Sequence, residues 1–431
     1  MRILKYTLIL CLALAHTIAM AQMTEKGRTG TFALTNATIE TVTNGTIQNG
    51  TLIIANGKIQ DLGANVAIPA GAITIDCSGL TIYPGMIDGG TLLGLSEVGS
   101  VDRTQDYNEI GDVIPHMQAL TAVNPNSALI PVTRVNGVTT VLTQPTGGLF
   151  PGTAALINLY GYTPDQMYAG FKGILINFPS TGRRGGWDRR SDEDIKKASE
   201  KALKMLNDVW NKAVQYHKID SATNGKGQAY YPEMEALLPA VRGEMTLMIN
   251  VNASKDILEA LKWLEGKKVK AVLCGVAEGW RVADKIAAAN IPVITGPVLG
   301  MPTREYDRYD KPYANAGLMA KAGVKVAIRT NDTENVRNLP YNAGFAATYG
   351  MGREAALKAI TIVPAEIFGV ADQLGSLEKG KTANLFVTTG DPFETKTQVK
   401  YLFISGWQVP LESRHTQLYD EFLERAPGVD E

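Results

Sequence analysis

An α/β barrel of eight strands, flanked by a β-sandwich assembled from both ends of the chain, is the architecture this sequence predicts. Three observations predict it. From Ile82 to about Val370, short apolar runs of strand length alternate with amphipathic helical stretches, the texture of repeated strand–helix units. Residues 30–80 alternate instead in the manner of strands and are punctuated by Asn44-Gly45, Asn49-Gly50 and Asn56-Gly57, and Asn-Gly between β-rich runs is the strongest short-range hairpin signal. The same β texture returns at Gly375–Val387 and Lys400–Ile404, so two terminal β segments are each other's natural partners.

Taken in order, the chain opens with Arg2 and Lys5, an apolar run from Tyr6 to Ala15, and Ala19-Met20-Ala21 before Gln22. This is the layout of a secretory signal peptide with a small-x-small cleavage site. Residues 1–21 are set apart on this basis, and the mature protein is expected to be secreted or periplasmic, cleaved near Ala21-Gln22. Cys11 follows Leu10 inside the apolar run, which does not make a lipoprotein site. No later apolar run is long enough to span a bilayer. Residues 22–81 and 371–411 form the expected composite β domain, 82–370 the barrel, and 412–431 a tail with an amphipathic helix at Gln417–Arg425.

Eight candidate strands lie within the barrel, at 82–87, 138–142, 154–158, 171–176, 246–251, 269–274, 291–295 and 324–329. With helices between them they predict a parallel TIM barrel of ordinary size, whose chemistry sits on the loops after the strand C-termini. The largest insertion, 178–244, begins with the basic loop Arg183-Arg184-Gly185-Gly186-Trp187-Asp188-Arg189-Arg190. Its arginines either hold an anion at the barrel mouth or are a solvated loop. Ser191 with Asp194 then reads as a helix cap pair, followed by Ile195, Ala198, Ala202, Met205, Leu206, Val209 and Ala213 at helical spacing.

The chain has 431 residues, 45% hydrophobic and 20% charged, with a net charge of -1. That suffices for a full core and gives no electrostatic case for nucleic acid or an anionic membrane. Beyond the signal peptide the cysteines are Cys77 and Cys274. An exported compartment permits a disulfide, and two small buried apolar side chains are the alternative.

The stretch Tyr83-Pro84-Gly85-Met86-Ile87-Asp88-Gly89-Gly90-Thr91-Leu92 resembles the first barrel strand of the amidohydrolase superfamily, a proline-glycine-x-isoleucine-aspartate pattern followed by a histidine-x-histidine pair. Thr361–Val370, Gly375–Val387 (with Asn384 in place of an acid) and Asn338-Leu339-Pro340-Tyr341-Asn342-Ala343-Gly344 resemble further signatures of its imidazolonepropionase-related branch. The resemblance implies hydrolysis of C–N or related bonds at one or two divalent metals, zinc or another, which lower the pKa of a bound water and polarise a carbonyl. Histidines and carboxylates would be the ligands, and a strand-eight aspartate would take the proton.

Set against that pattern, the strand-one histidines fall on Gly90 and Leu92. The strand-five pair falls on Asn250 and Asn252, the strand-six histidine on Gly275 beside Cys274, and the strand-eight aspartate on Asn331 beside Asp332. Glycine and leucine donate no lone pair, an amide oxygen is a poor zinc ligand, and asparagine is no general base. Losing a positioned base alone typically costs ~10²–10⁴-fold in rate. His116, His217 and His415 complete the mature chain's histidines. They are too scattered to rebuild the site, although His116 follows the long loop after the first strand. The remaining candidates are Asp88, which either orients the strand-one turn or ligates, Asp332, which caps the next helix or swings in, Cys274 as a thiolate, and Lys172 at strand four. The expectation is a degenerate, metal-free relative with no cofactor. It would act as a binding protein for a polar small molecule or as the non-catalytic partner of an active homologous subunit, its pocket lined by Gly90, Leu92, Asn250, Asn252, Gly275 and Asn331. The alternatives are a hydrolase with an unconventional site at Asp88, Asn331, Asp332 or Cys274, and a purely structural subunit.

Overall fold

A computed structural model describes residues 26–183, 188–223 and 229–425; the expected signal peptide lies outside the described residues. From Phe32 the chain lays down β1 (Phe32–Glu40), β2 (Thr46–Ala55), β3 (Lys58–Gly63), β4 (Ile73–Asp76) and β5 (Thr81–Pro84). Asn56 and Gly57 turn β2 into β3 with φ of 53° and 78°, the left-handed pair that suits the twist of a two-residue hairpin. Asn49-Gly50 does not turn. It lies inside β2, where the pairing with β1 shifts register. A side chain at Gly50 would come within 2.7 Å of Ile39 Cδ1, so the pair serves as a bulge over the apolar face.

The expected first barrel strand, 82–87, is two strands. β5 belongs to the terminal sheet, pairing with β1, and only after Gly85 does the chain enter the barrel as β6 (Met86–Thr91). A Cβ on Gly85 would sit 2.1 Å from Thr139 Oγ1, so glycine alone permits this crossing. The barrel continues with β7 (Val138–Thr143), β8 (Thr153–Asn158), β9 (Tyr168–Asn177), β10 (Thr246–Val251), β11 (Ala271–Gly275), β12 (Val293–Thr295) and β13 (Val326–Ile328), hydrogen-bonded in sequence order. The Asn331 amide donates to Gly90 O at 3.0 Å and the Leu92 amide to Asp332 O at 3.1 Å, which draws β13 toward β6. The strands are not all parallel. β8 runs antiparallel to β7 and β9, because the connections at 144–152 and 159–167 are too short for a parallel crossover.

Ile87, Leu142, Leu156, Leu175, Met248, Val272 and Ile294 are fully buried in one apolar cluster, the inward layer that fills such a barrel. Outside it, the insertion supplies the helix Asp192–Thr223. Its start is capped as expected, the Asp194 amide donating to Ser191 Oγ at 3.1 Å, and its Trp210 packs edge-on against Trp263 at 5.6 Å.

β14 (Leu385–Thr388), β15 (Val399–Ile404) and β16 (Trp407–Gln408) then return to the first sheet. Its order is β16-β15-β14-β5-β1-β2-β3, with β4 on β1, so both ends of the chain share one sheet, over a core that includes the Phe32–Phe403 pair at 5.2 Å. Asn384 ties this sheet to the barrel. Its amide donates to Asn158 Oδ1 at 2.8 Å and Thr140 Oγ1 at 3.2 Å, and its carbonyl accepts the Ser405 amide at 2.7 Å. Removing it leaves buried groups unpaired, so Asn384→Ala is expected to cost about 2 kcal/mol in urea denaturation. Cys77 and Cys274 are both free and buried, in separate apolar clusters, which rules out a disulfide between them. The tail helix begins before its expected start, at Arg414–Arg425, and buries no residue. Among the described residues no helix is long and apolar enough to cross a membrane.

Candidate functional site

The barrel mouth is where β6, β7, β9, β10, β11, β12 and β13 end. Arg329 follows the wholly apolar, buried strand Val326-Ala327-Ile328 and extends across this mouth. A Cβ on Gly90 would lie 3.1 Å from Arg329 Cδ and 3.4 Å from its Nη1, and a Cβ on Gly275 would lie 3.3 Å from its Nη2. One guanidinium therefore spans the space between the strand-one and strand-six ligand positions. Its Nη1 donates to Asn250 Oδ1 at 3.3 Å. Asn250 Nδ2 donates in turn to Asn177 Oδ1 at 3.0 Å, and Asn177 Nδ2 to Gly148 O at 2.8 Å, a chain of amides around one side of the mouth.

Arg329 is only 5% exposed and makes no ion pair among the described residues. Its Nε is enclosed without an acceptor. Burial pushes the guanidinium below its usual pKa, against the pull of Cys274 and Asp88. Gln144, 4% exposed at the end of β7, also has an enclosed, unpartnered Oε1, 3.1 Å from where a Gly90 Cβ would be. Its Nε2 makes one long bond, 3.5 Å, to Asn331 Oδ1.

The other sequence candidates divide. Asp88 is fully buried and faces protein donors: the Gly90 amide at 3.0 Å, the Thr330 amide at 3.1 Å and the Thr330 hydroxyl at 2.6 Å. It clamps β6 to the segment after β13. Burial pushes its carboxyl up to about 7, against these hydrogen bonds and the Arg329 charge. Asp332 Oδ1 accepts the amides of Thr333, Glu334 and Asn335 at 2.6–3.0 Å and caps the turn that follows. Cys274 is 1% exposed, and burial pushes its thiol up to about 11, so at neutral pH it is no nucleophile. Asn331 sits at the rim with φ of 52°, exposed, as is Asn252. Leu92 is half-buried.

Lys172 lies within β9, not at its mouth end, and gives its amine to Gln118 Oε1 at 2.7 Å. His116 is half-buried with an unpartnered Nδ1, and His217 faces Ser221 on the insertion helix at 3.4 Å. In the basic loop, Arg183 donates to Asp188 O, Arg190 O and Asp192, and Arg190 pairs with Asp188 at 2.6 Å. These two arginines serve the loop itself. Arg184 and Trp187 lie outside the described residues. Glu278, just past β11, accepts from Arg304 and from the Ser254 amide at 2.9 Å, which straps the loop after β12 across the rim. A groove of about 680 Å³ lined by Thr246, Lys270, Pro292 and Lys325 opens at the strand starts, the opposite end, and has no share in this site.

A divalent cation does not fit the mouth's donor set. The positions offer two glycines, a leucine and three amides, with a guanidinium among them whose charge would repel the metal. Among the described residues no three His, Cys, Asp or Glu side chains converge as a metal site would require. Sequence reasoning missed Arg329, Gln144 and Asn177. A charged residue directly behind an apolar strand was the available signal for Arg329; the other two carried only their place at a strand end.

The comparisons bear on the fold. The Amidohydrolase family matches residues 244–409, that is, β10 through β16. The imidazolonepropionase of Mesorhizobium japonicum is 23% identical over 400 residues, covering 84% of this chain and 92% of that protein. An amidohydrolase of Hapsidospora irregularis is 22% identical over 384 residues, 79% of this chain but 37% of that longer protein. The crystal structure of an amidohydrolase from Thermotoga maritima superposes with a TM-score of 0.77 at 25% identity, covering 88% of this chain and 99% of that one. The barrel and the returning β sheet thus resemble an amidohydrolase over 88% of the chain, and the Amidohydrolase family match spans residues 244–409.

Proposed function

We propose that this chain is an exported, degenerate amidohydrolase that binds a polar small molecule at the barrel mouth, by itself or as the non-catalytic partner of an active homologous subunit. The observation that carries this reading is Arg329, a cation lying between Gly90 and Gly275 where metal chemistry would need converging lone pairs. The surrounding amides of Asn250, Asn252, Asn331 and Gln144 suit hydrogen bonding to a polar ligand. A second reading, a hydrolase of carbon–nitrogen bonds with an unconventional site, is favoured by what the similar proteins are called. Its candidate groups are otherwise engaged: Asp88 in the clamp, Asp332 in a cap, Cys274 as a buried thiol.

Elemental analysis of the purified chain separates the two. The binding reading expects zinc, manganese and iron well below one per chain, and no turnover of small amides. Stoichiometric, tightly held metal, or turnover of small amides, would overturn it.

A further inference from the structure

We propose that the mouth holds a small monocarboxylic acid, seated on Arg329, with a hydrogen-bond donor on the atom beside its carboxylate. This rests on the metal-free reading and names the ligand class for that same site. Burying a charge without a partner is strongly unfavourable, yet Arg329 is 5% exposed and, among the described residues, has one acceptor, Asn250 Oδ1. An anion arriving from solvent supplies the missing counter-charge.

The geometry selects the anion. Nη1 is engaged by Asn250, which leaves the Nε–Nη2 edge. Nε is enclosed and lacks an acceptor, and Nη2 lies 3.3 Å from where a Gly275 Cβ would be, at the end of β11. Two parallel donors on one guanidinium edge match the two oxygens of a carboxylate. Because Nε is enclosed, the proposed two-point seat requires the Arg329 side chain to shift when the acid binds.

Among the described residues, the rim arginines Arg281 and Arg304 are already paired with Asp307 and Glu278, so neither offers a second charge to a dianionic phosphate. Asp88, the neighbouring acid, directs its oxygens at Thr330 and Gly90. Gln144 Oε1, enclosed and without a donor, stands by Gly90 on the Cδ–Nη1 side of the same guanidinium and calls for an N–H or O–H on the ligand close to its carboxylate. N-acylated amino acids and 2-hydroxy acids have this form.

The test is calorimetric titration of the purified full chain with N-acetylglycine and lactate. N-acetylglycinamide and lactamide serve as uncharged matches, propionate lacks the adjacent donor, and inorganic phosphate tests the dianion. The two donor-bearing acids are expected to bind at least about tenfold more tightly than their amides, the scale of a charge-assisted contact, and more tightly than propionate. Arg329→Met is expected to abolish that preference, and Arg329→Lys to weaken binding while retaining the charge discrimination. Amides binding as well as acids, phosphate binding best, no probe binding, or an unchanged preference in Arg329→Met would each overturn the proposal. Metal content measured on the same preparation keeps the two readings apart. Stoichiometric metal sinks the reading beneath this one, whereas a metal-free chain indifferent to carboxylates sinks this inference alone.

Discussion

Arg329→Met is expected to raise the stability of the unliganded fold by about 1–3 kcal/mol, because replacing a buried charged group with an apolar side chain of similar length removes its desolvation cost. Methionine reaches across the same gap between Gly90 and Gly275 and adapts to an irregular space. The loss is one long hydrogen bond, 3.3 Å to Asn250, worth about 1 kcal/mol and already set against the gain. Urea denaturation in buffer free of carboxylates measures the difference. A variant less stable than the parent by more than this would mean that Arg329 is held by interactions stronger than the single bond seen here. A residue whose removal strengthens the fold is present for something other than the fold, which makes this measurement informative about function as well.

Asp88→Ala is expected to have the opposite and larger effect. It strips the acceptor from the Gly90 amide, the Thr330 amide and the Thr330 hydroxyl, all buried, and each orphaned donor costs about 1–3 kcal/mol. The sum should lie near 3 kcal/mol or above, with the barrel opening at the β13–β6 seam. Asp88→Asn, which keeps the shape and one acceptor, should cost less. The carboxyl also imposes a pH dependence. Its folded pKa, about 7, lies above that of the unfolded chain, so between these values the folded state binds the proton and the unfolded state does not. Its contribution to stability is complete below the unfolded pKa and declines as pH rises through 7. Denaturation curves of the parent should therefore weaken from pH 5 to pH 8, and Asp88→Asn should flatten that trend. A parent equally stable at both would place the folded pKa near that of an ordinary carboxylate.

Much of this architecture was readable because local chemistry dictates it. Asn56-Gly57 can hardly do other than turn, and the apolar, β-rich runs at 32–39 and 385–388 mark strands whichever sheet receives them. What escaped were choices made across the fold. Nothing within 82–87 says that Gly85 hands the chain from one sheet to another, since the reason is Thr139 on a different strand. Nothing within 153–158 fixes the strand's direction; the short connections on either side do. At the site, the absent ligands at Gly90, Leu92 and Gly275 were legible because absence is local to each position. Arg329 was not, because its meaning comes from the two glycines that make room for it.

The reversal of β8 has a consequence for anyone labelling or grafting onto this molecule. Its leading connection, 144–152, lies at the mouth, where the Gly148 carbonyl holds Asn177. Its trailing connection, 159–167, lies at the far end, where Tyr160 leans on Trp407 at 5.8 Å. Tyr162, 64% exposed there, is a safe attachment point for a fluorophore or affinity handle, whereas a handle of the same size at Gly147 would obstruct the entrance.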